Sequence, residues 1–356
     1  MTESPAAAGF RMPAEWAPQE AVWLSWPLKV GAWPGCREAA EAAYARFAAA
    51  ITHFEALRIN CIRAAQERAE EALVQAGAHL DRVRFFDHPT NDAWCRDHGP
   101  VFVVHRETGE VAITDWAYNA WGGKFAPWDA DDAIPRRIAG ALGLRRFPIP
   151  MVAEGGGLEA NGEGVLLTTE SVLLNPNRNP ALDRTAVESI LRGALGVDSI
   201  GWLKSGLAAD DTDGHIDTLT RFVAPDAVVT VVDPDPGGAN HRTLAANRTD
   251  IERFRLSDGR RLEVVPLPLP EPIRPPGWRF EVLPATYANF LIVNGGVLVP
   301  TYRQPARDRE ALRILGQCFP TRDLVGIDCR DIVFEGGALH CLSQQQPARL
   351  SRVPPA

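Results

Sequence analysis

The apolar positions of this chain fall at helical spacing in some stretches and in short β-branched runs in others, and that alternation outlines its elements. The Ala- and Glu-rich run at residues 37–57 predicts a long helix, and 66–76 predicts a shorter one. Strand-like runs lie at 21–26, 58–61 and 83–86. Beyond residue 95 the pattern becomes a rhythm of two apolar runs, a helix and another short strand. The paired runs are 101–104 with 111–115, 165–168 with 171–174, 219–223 with 228–232, and 290–293 with 297–299. Helices are expected after them near 132–142, 183–195, 241–254 and 306–318. Together with the N-terminal segment this makes five ββαβ-like units of an α/β fold.

A literal echo supports repetition. Glu154-Gly-Gly-Gly-Leu and Glu335-Gly-Gly-Ala-Leu share E-G-G-x-L in register. Repeats of this kind point to a ring of similar units, one domain over residues 1–356, rather than two unrelated domains. The proline-rich stretch 265–276 reads as an extended surface connector. The termini, about 1–10 (at most the first dozen residues) and 348–356, are expected to fray.

Composition narrows the class. The chain has 356 residues, 46% hydrophobic and 23% charged, which suits a substantial soluble core. It shows neither a basic-then-apolar leader nor an apolar run of about 18 residues, so a cytoplasmic protein without a membrane partner is expected. A net charge of −8 with no Lys/Arg-rich block disfavours nucleic acid and is compatible with a cationic partner. The six cysteines, at 36, 61, 95, 318, 329 and 341, form no C-x-x-C pair, so they read as reduced thiols. The glycines spell no nucleotide-binding loop. Neither a cofactor nor a metal is expected, and the sequence leaves open whether the chain forms a homo-oligomer.

The informative polar clusters sit in loops at the edges of the strand pairs. They are Asn91-Asp-Ala-Trp-Cys-Arg-Asp97-His-Gly-Pro, Glu154-Gly-Gly, Ala209-Asp-Asp-Thr-Asp-Gly-His215-Ile-Asp217 and Glu335-Gly-Gly-Ala-Leu-His-Cys341. Units around a common axis would bring these loops to one mouth, gathering a thiol, an imidazole and several carboxylates. Each has a bland alternative. His215 could be an ordinary loop histidine, Asp97 a helix cap or a surface partner of Arg96, and Glu154-Gly-Gly a simple turn. The acidic run 210–217 could bind a metal, although it lacks the D-x-D-x-D-G…E calcium pattern.

These stretches, with 12–27, 115–125, 154–180 and 283–300, resemble the agmatine deiminase and bacterial-type peptidylarginine deiminase family of guanidino-group-modifying enzymes. The resemblance covers most of the chain and implies a five-bladed α/β propeller with pseudo-fivefold symmetry and a site on its axis. It implies Cys341 as thiol nucleophile, His215 as general acid/base and Glu154 as the carboxylate linked to that histidine. It implies Asp97 and Asp217 as grips on the guanidinium, with Trp94 and Asp211 as further substrate contacts. The expected activity is cofactor-free hydrolysis of a small guanidine, agmatine first, to the ureido product N-carbamoylputrescine and ammonia, a step of putrescine synthesis. Deimination of free or peptidyl arginine, amidino transfer and a non-catalytic binding propeller are the alternatives.

Overall fold

Helices form where one face can be made apolar and both ends can be closed. In Arg184–Leu195 the buried residues Val187, Leu191, Ala194 and Leu195 make a single stripe. Asp183 closes the start by accepting from the Ala186 amide at 2.8 Å, and Gly196 ends the helix at a φ of 65°. The strands are almost wholly buried runs such as Val165–Thr169. A computed structural model describes residues 3–275 and 281–349 of the chain, which is mixed α/β.

Five sheets occur among the described residues. In three of them an antiparallel pair is followed by a helix and a third strand parallel to the second. Val101–His105, Val111–Ala117 and Arg145–Val152 enclose helix Ile134–Leu142. Thr220–Ala224, Ala227–Val232 and Glu263–Pro268 enclose His241–Arg253. Leu291–Val293, Gly296–Thr301 and Asp323–Asp328 enclose Pro305–Cys318. In a fourth sheet Val165–Thr169 lies antiparallel to the two-residue strand Glu159–Ala160 and parallel to Ser199–Leu203, across helix Arg184–Leu195. The fifth sheet is assembled from both ends of the chain. Ser343–Pro347 pairs antiparallel with Gln19–Ser25, which then runs parallel to Ala56–Asn60, and that strand to Val83–Phe86. Helices Arg37–Thr52 and Arg63–Gln75 make its two crossovers.

Four expectations change. The helix expected over 37–57 ends at Thr52, and Ala56–Asn60, which begins inside that range, is a strand. Residues 171–174 are not the second strand of their unit. Glu170–Leu173 is one helical turn, and the upstream Glu159–Ala160 supplies the antiparallel partner. A four-residue apolar run carries no period that could separate the two states. The N-terminal residues that are described are not frayed. Phe10 is 1% exposed, Phe10–Arg11 pairs with Val104 and His105, and the Ala6 amide donates to the Gly193 carbonyl at 2.9 Å. The proline-rich stretch is not a connector at its start, because Glu263–Pro268 is an edge strand, where a missing amide hydrogen is tolerated. Pro276 lies outside the described residues, as do residues 1–2 and 350–356 of the termini expected to fray.

One buried cation ties the units together beneath their loops. Arg221, fully buried, pairs with Glu15 from the N-terminal segment and with Glu159 at 2.8 Å, and donates to the Phe290 carbonyl at 2.7 Å. It links three sheets, and truncation would take from two buried carboxylates the guanidinium that engages both. Arg221→Ala is therefore expected to destabilise the protein by about 3–5 kcal/mol, read as a lower midpoint in urea unfolding.

Candidate functional site

Four loops deliver the candidate groups, and local backbone geometry fixes each one. Cys95–His98 is a single helical turn, and Gly99 ends it so tightly that a Cβ there would lie 2.2 Å from the Cys95 carbonyl oxygen. This turn presents Asp97, which accepts from the Gly156 amide at 3.0 Å and from the Trp121 indole at 2.9 Å. Glu154 precedes the turn Gly155–Gly157, and His215 precedes the turn Ile216–Thr218 that carries Asp217. Cys341 sits in the short helix Leu339–Leu342. The two E-G-G repeats bring the same position to the site. A Cβ on Gly156 would meet the His215 ring at 2.4 Å, and one on Gly337 would meet Trp94 at 2.4 Å and the Cys341 Cβ at 3.0 Å. The sequence echo thus marks two places where only hydrogen fits between backbone and site.

The five groups adjoin one another and are almost closed to water. His215 Nδ1 lies 3.5 Å from Asp97 Oδ1, and its Nε2 lies 3.7 Å from Glu154 Oε2. Cys341 Sγ is 3.5 Å from Asp217 Oδ2 and receives the Asn289 amide at 3.1 Å. All five are 4% exposed or less. Both ring nitrogens of His215, Glu154 Oε2 and Asp217 Oδ1 are buried with no hydrogen-bond partner. Such atoms are costly to leave unsatisfied, and the carboxylate oxygens can only accept. The arrangement suits a planar guest rich in N–H donors.

Charge follows from the same crowding. Burial opposes a charge on His215, but Asp97, Glu154 and Asp217 outweigh it and raise its pKa to about 9. Burial lifts Asp97 to about 6, against the pull of His215 and with the push of Asp217 and Glu154. Burial, then Asp217 and Asp97, push the Cys341 thiol well above its ordinary value, against the Ala338 amide and Asn289. The unliganded site therefore holds a protonated imidazole and a protonated thiol at neutral pH.

A cleft of about 480 Å³, its open mouth included, leads to the sulfur. Trp94, Asp97, Asp211 and Cys341 line it, as do Trp121 and Phe125. Every residue singled out from sequence is thus at the site or along the cleft: Cys341, His215, Glu154, Asp97 and Asp217 converge, and Trp94 and Asp211 flank the approach.

Several further groups were not legible as functional. Arg178, 4% exposed, holds Glu154 Oε1 at 2.6 Å and Asp213 at 2.6 Å, so that His215 and Arg178 together keep Glu154 charged despite burial. Asn289 accepts from the amides of Ala338, His340 and Cys341 while donating to the sulfur. Their only sequence signal was membership of the stretches 154–180 and 283–300. Glu15, Glu159 and His340 also approach one another closely enough to hold a metal ion. The guanidinium of Arg221 already engages both glutamates, so this group is an internal ion-pair cluster.

The chain is similar to known proteins along its whole length. Residues 11–347 match the family model of Porphyromonas-type peptidyl-arginine deiminase. The agmatine deiminase of Ectopseudomonas mendocina is 39% identical over 371 aligned positions, covering 98% of each chain. That of Stutzerimonas stutzeri is 40% identical, covering 99% of each. Among solved structures, the agmatine deiminase of Enterococcus faecalis superposes with a TM-score of 0.91 at 31% identity, over 98% of this chain and 99% of that one. A C. jejuni agmatine deiminase with substrate bound superposes at 0.86 and 28% identity, over 96% and 97%.

The contact of Gly156 with the imidazole gives a direct test of this geometry. Gly156→Ala should displace the ring from Asp97, costing about 1–3 kcal/mol in thermal unfolding. With the carboxylate moved away, the His215 pKa should fall from about 9, which an NMR titration of the ring would report.

Proposed function

The chain belongs to the Porphyromonas-type peptidyl-arginine deiminase family, and from that membership we propose that it hydrolyses agmatine to N-carbamoylputrescine and ammonia. The observation that carries this reading is one cluster, in which the Cys341 sulfur and the His215 imidazole share the carboxylates Asp97 and Asp217 beside a cleft. The five sheets, with the chain's two ends paired in one of them, support a five-bladed propeller of one catalytic domain with the site on its axis. Six free cysteines suit a reducing cytoplasm.

A guanidinium is a resonance-stabilised, poor electrophile, so it must be gripped before it is attacked. Asp97 and Asp217 take its N–H groups in charge-assisted hydrogen bonds, and Glu154 Oε2 is available for another. The arriving cation cancels the negative charge that keeps Cys341 protonated, so when substrate is present the thiol sheds its proton to solvent through the cleft and the thiolate forms. Asn289 and the Ala338 amide then stabilise it. The sulfur adds to the guanidinium carbon. His215 protonates one nitrogen, ammonia departs, and an S-alkylthiouronium remains. The imidazole, now neutral, takes a proton from water, whose oxygen adds to the same carbon. Collapse of that adduct breaks the C–S bond and releases the ureido product, and the proton shed from its hydroxyl returns the sulfur to the resting thiol. A neutral amide would leave both carboxylates uncompensated, which selects for cationic substrates.

An ammonia-release assay without any acceptor amine separates hydrolysis from amidino transfer. Agmatine is expected to outperform arginine, guanidinobutyrate and a C-terminal arginine peptide. Cys341→Ser should lose at least about a thousandfold in turnover while remaining folded. Ammonia release near the wild-type rate by that variant would refute the assignment. The pH dependence of kcat/KM provides a second check. Asp97 must be ionised, so activity should fall as pH drops through about 6, and His215 must be protonated, so it should fall again as pH rises through about 9. A profile flat between pH 5 and 10 would remove both groups from the rate.

A further inference from the structure

We propose that His340 is a positioning residue, an imidazolium locked between Glu15 and Asp217 that aims Asp217 at the guanidinium and offsets its charge beside the Cys341 sulfur. The inference rests on reading Cys341 as the nucleophile, and it concerns a residue that never touches substrate.

The geometry is specific. His340 Nδ1 lies 2.7 Å from Asp217 Oδ2, and Nε2 lies 2.9 Å from Glu15 Oε2. All three residues are buried. An ionised carboxylate can only accept hydrogen bonds. Burial works to neutralise both acids, yet Arg221 and His340 hold Glu15, and His340, His215 and Arg221 hold Asp217, below the usual carboxylate range. A carboxylate oxygen at hydrogen-bond distance from each ring nitrogen calls for a hydrogen on both, which is the imidazolium form. The charged groups around it are Glu15 and Asp217 on its two edges, Arg221 and Glu159 behind Glu15, and Arg96, whose Nε donates to the His340 carbonyl at 3.2 Å.

The oxygen that His340 engages is the one that matters for the sulfur. Asp217 Oδ2 is also the atom 3.5 Å from Cys341 Sγ, whereas Oδ1 is without a partner. By occupying Oδ2, the imidazolium fixes the carboxylate plane and reserves Oδ1 for the guest. By bringing positive charge to that oxygen, it also weakens the influence of Asp217, which otherwise favours the protonated thiol. A residue adjacent in sequence to the nucleophile thus acts on it through space, from a lateral carboxylate. Asn289 accepts from the His340 amide at 3.1 Å, so the same side chain that donates to the sulfur also fixes the backbone carrying the imidazole.

A purely structural histidine joining the N-terminal segment to the last sheet would affect stability and leave the thiol alone. The test therefore reads the thiol. Alkylation of Cys341 by iodoacetamide is followed by mass spectrometry between pH 6 and 9.5, with ammonia release from agmatine measured in parallel. In His340→Gln the amide keeps a donor toward Glu15 and loses the one toward Asp217, and in His340→Asn the reverse holds. Both remove the charge. Alkylation should slow about tenfold in each at every pH, the equivalent of a thiol pKa one unit higher. The KM for agmatine should rise in His340→Gln, where Asp217 is no longer aimed, and change little in His340→Asn, while kcat falls in both. Alkylation at the wild-type rate in either folded variant overturns the proposal. Failure of the parent reading looks different, since wild-type turnover would then survive complete alkylation of Cys341.

Discussion

The attraction between buried carboxylates and the cations around them, in a space that water barely enters, governs how this molecule is built as well as what it can bind. Glu15, Asp97, Glu154, Glu159 and Asp217 are each 6% exposed or less. A carboxylate so placed must find positive charge or become neutral. Arg221 and Arg178 meet part of the requirement with fixed guanidinium groups, and His215 with a proton it holds up to about 9. What remains unmatched is the pair of bare oxygens, Glu154 Oε2 and Asp217 Oδ1. The protein uses its own guanidinium groups to satisfy part of this charge, and under the proposed function the oxygens left bare at the site receive a guanidinium from outside. Selectivity and internal stability thus draw on the same chemistry.

Repetition explains how distant residues reach this arrangement. The same strand, helix, strand succession builds each sheet, so loops at corresponding edges carry corresponding positions. The clearest trace is the third residue of each E-G-G, where Gly156 lies against His215 and Asp97 while Gly337 lies against Trp94 and Cys341. The two repeats share only this backbone position. Glu154 is a buried partner of the imidazole, and Glu335 lines the cleft. The pairing of Ser343–Pro347 with Gln19–Ser25 then sets Cys341, two residues before the last strand, beside groups from the middle of the chain.

The fold was largely legible because its helices and most of its strands are long enough to show a period. Helix Arg184–Leu195 and strand Ala227–Val232 stand where the apolar spacing put them, whereas helix Arg37–Thr52 ends before residue 57 because Ala56–Asn60 is already a strand. Residues 171–174 failed because four apolar residues look alike in a strand and a helical turn, and only the neighbouring strand Glu159–Ala160 decided between them. At the site, the groups with intrinsic reactivity stood out, since a thiol, an imidazole and clustered acids are rare together. The supporting shell did not. Arg178, Asn289, Glu15 and His340 are ordinary residue types whose roles come from partners tens or hundreds of positions away, as in the contact between Glu15 and His340 across 325 residues. No local pattern encodes such a contact.

Under the mechanism proposed above, a thiol held protonated until its substrate arrives has a consequence for how the site survives. Thiolates, not thiols, are alkylated and oxidised, and reactivity follows thiolate fraction and exposure. Cys341 is 3% exposed and held in its protonated form by burial and by Asp217 and Asp97. A low resting pKa would speed the first step on every encounter, but it would also leave a nucleophile standing beside an open cleft. Coupling deprotonation to the arrival of a cation confines the reactive form to the complex. In the proposed mechanism the acids that grip the guanidinium are the same acids that suppress the thiolate, so binding removes the suppression at the moment the carbon is in place. Recognition and activation are then one electrostatic event, and a neutral molecule in the cleft triggers neither.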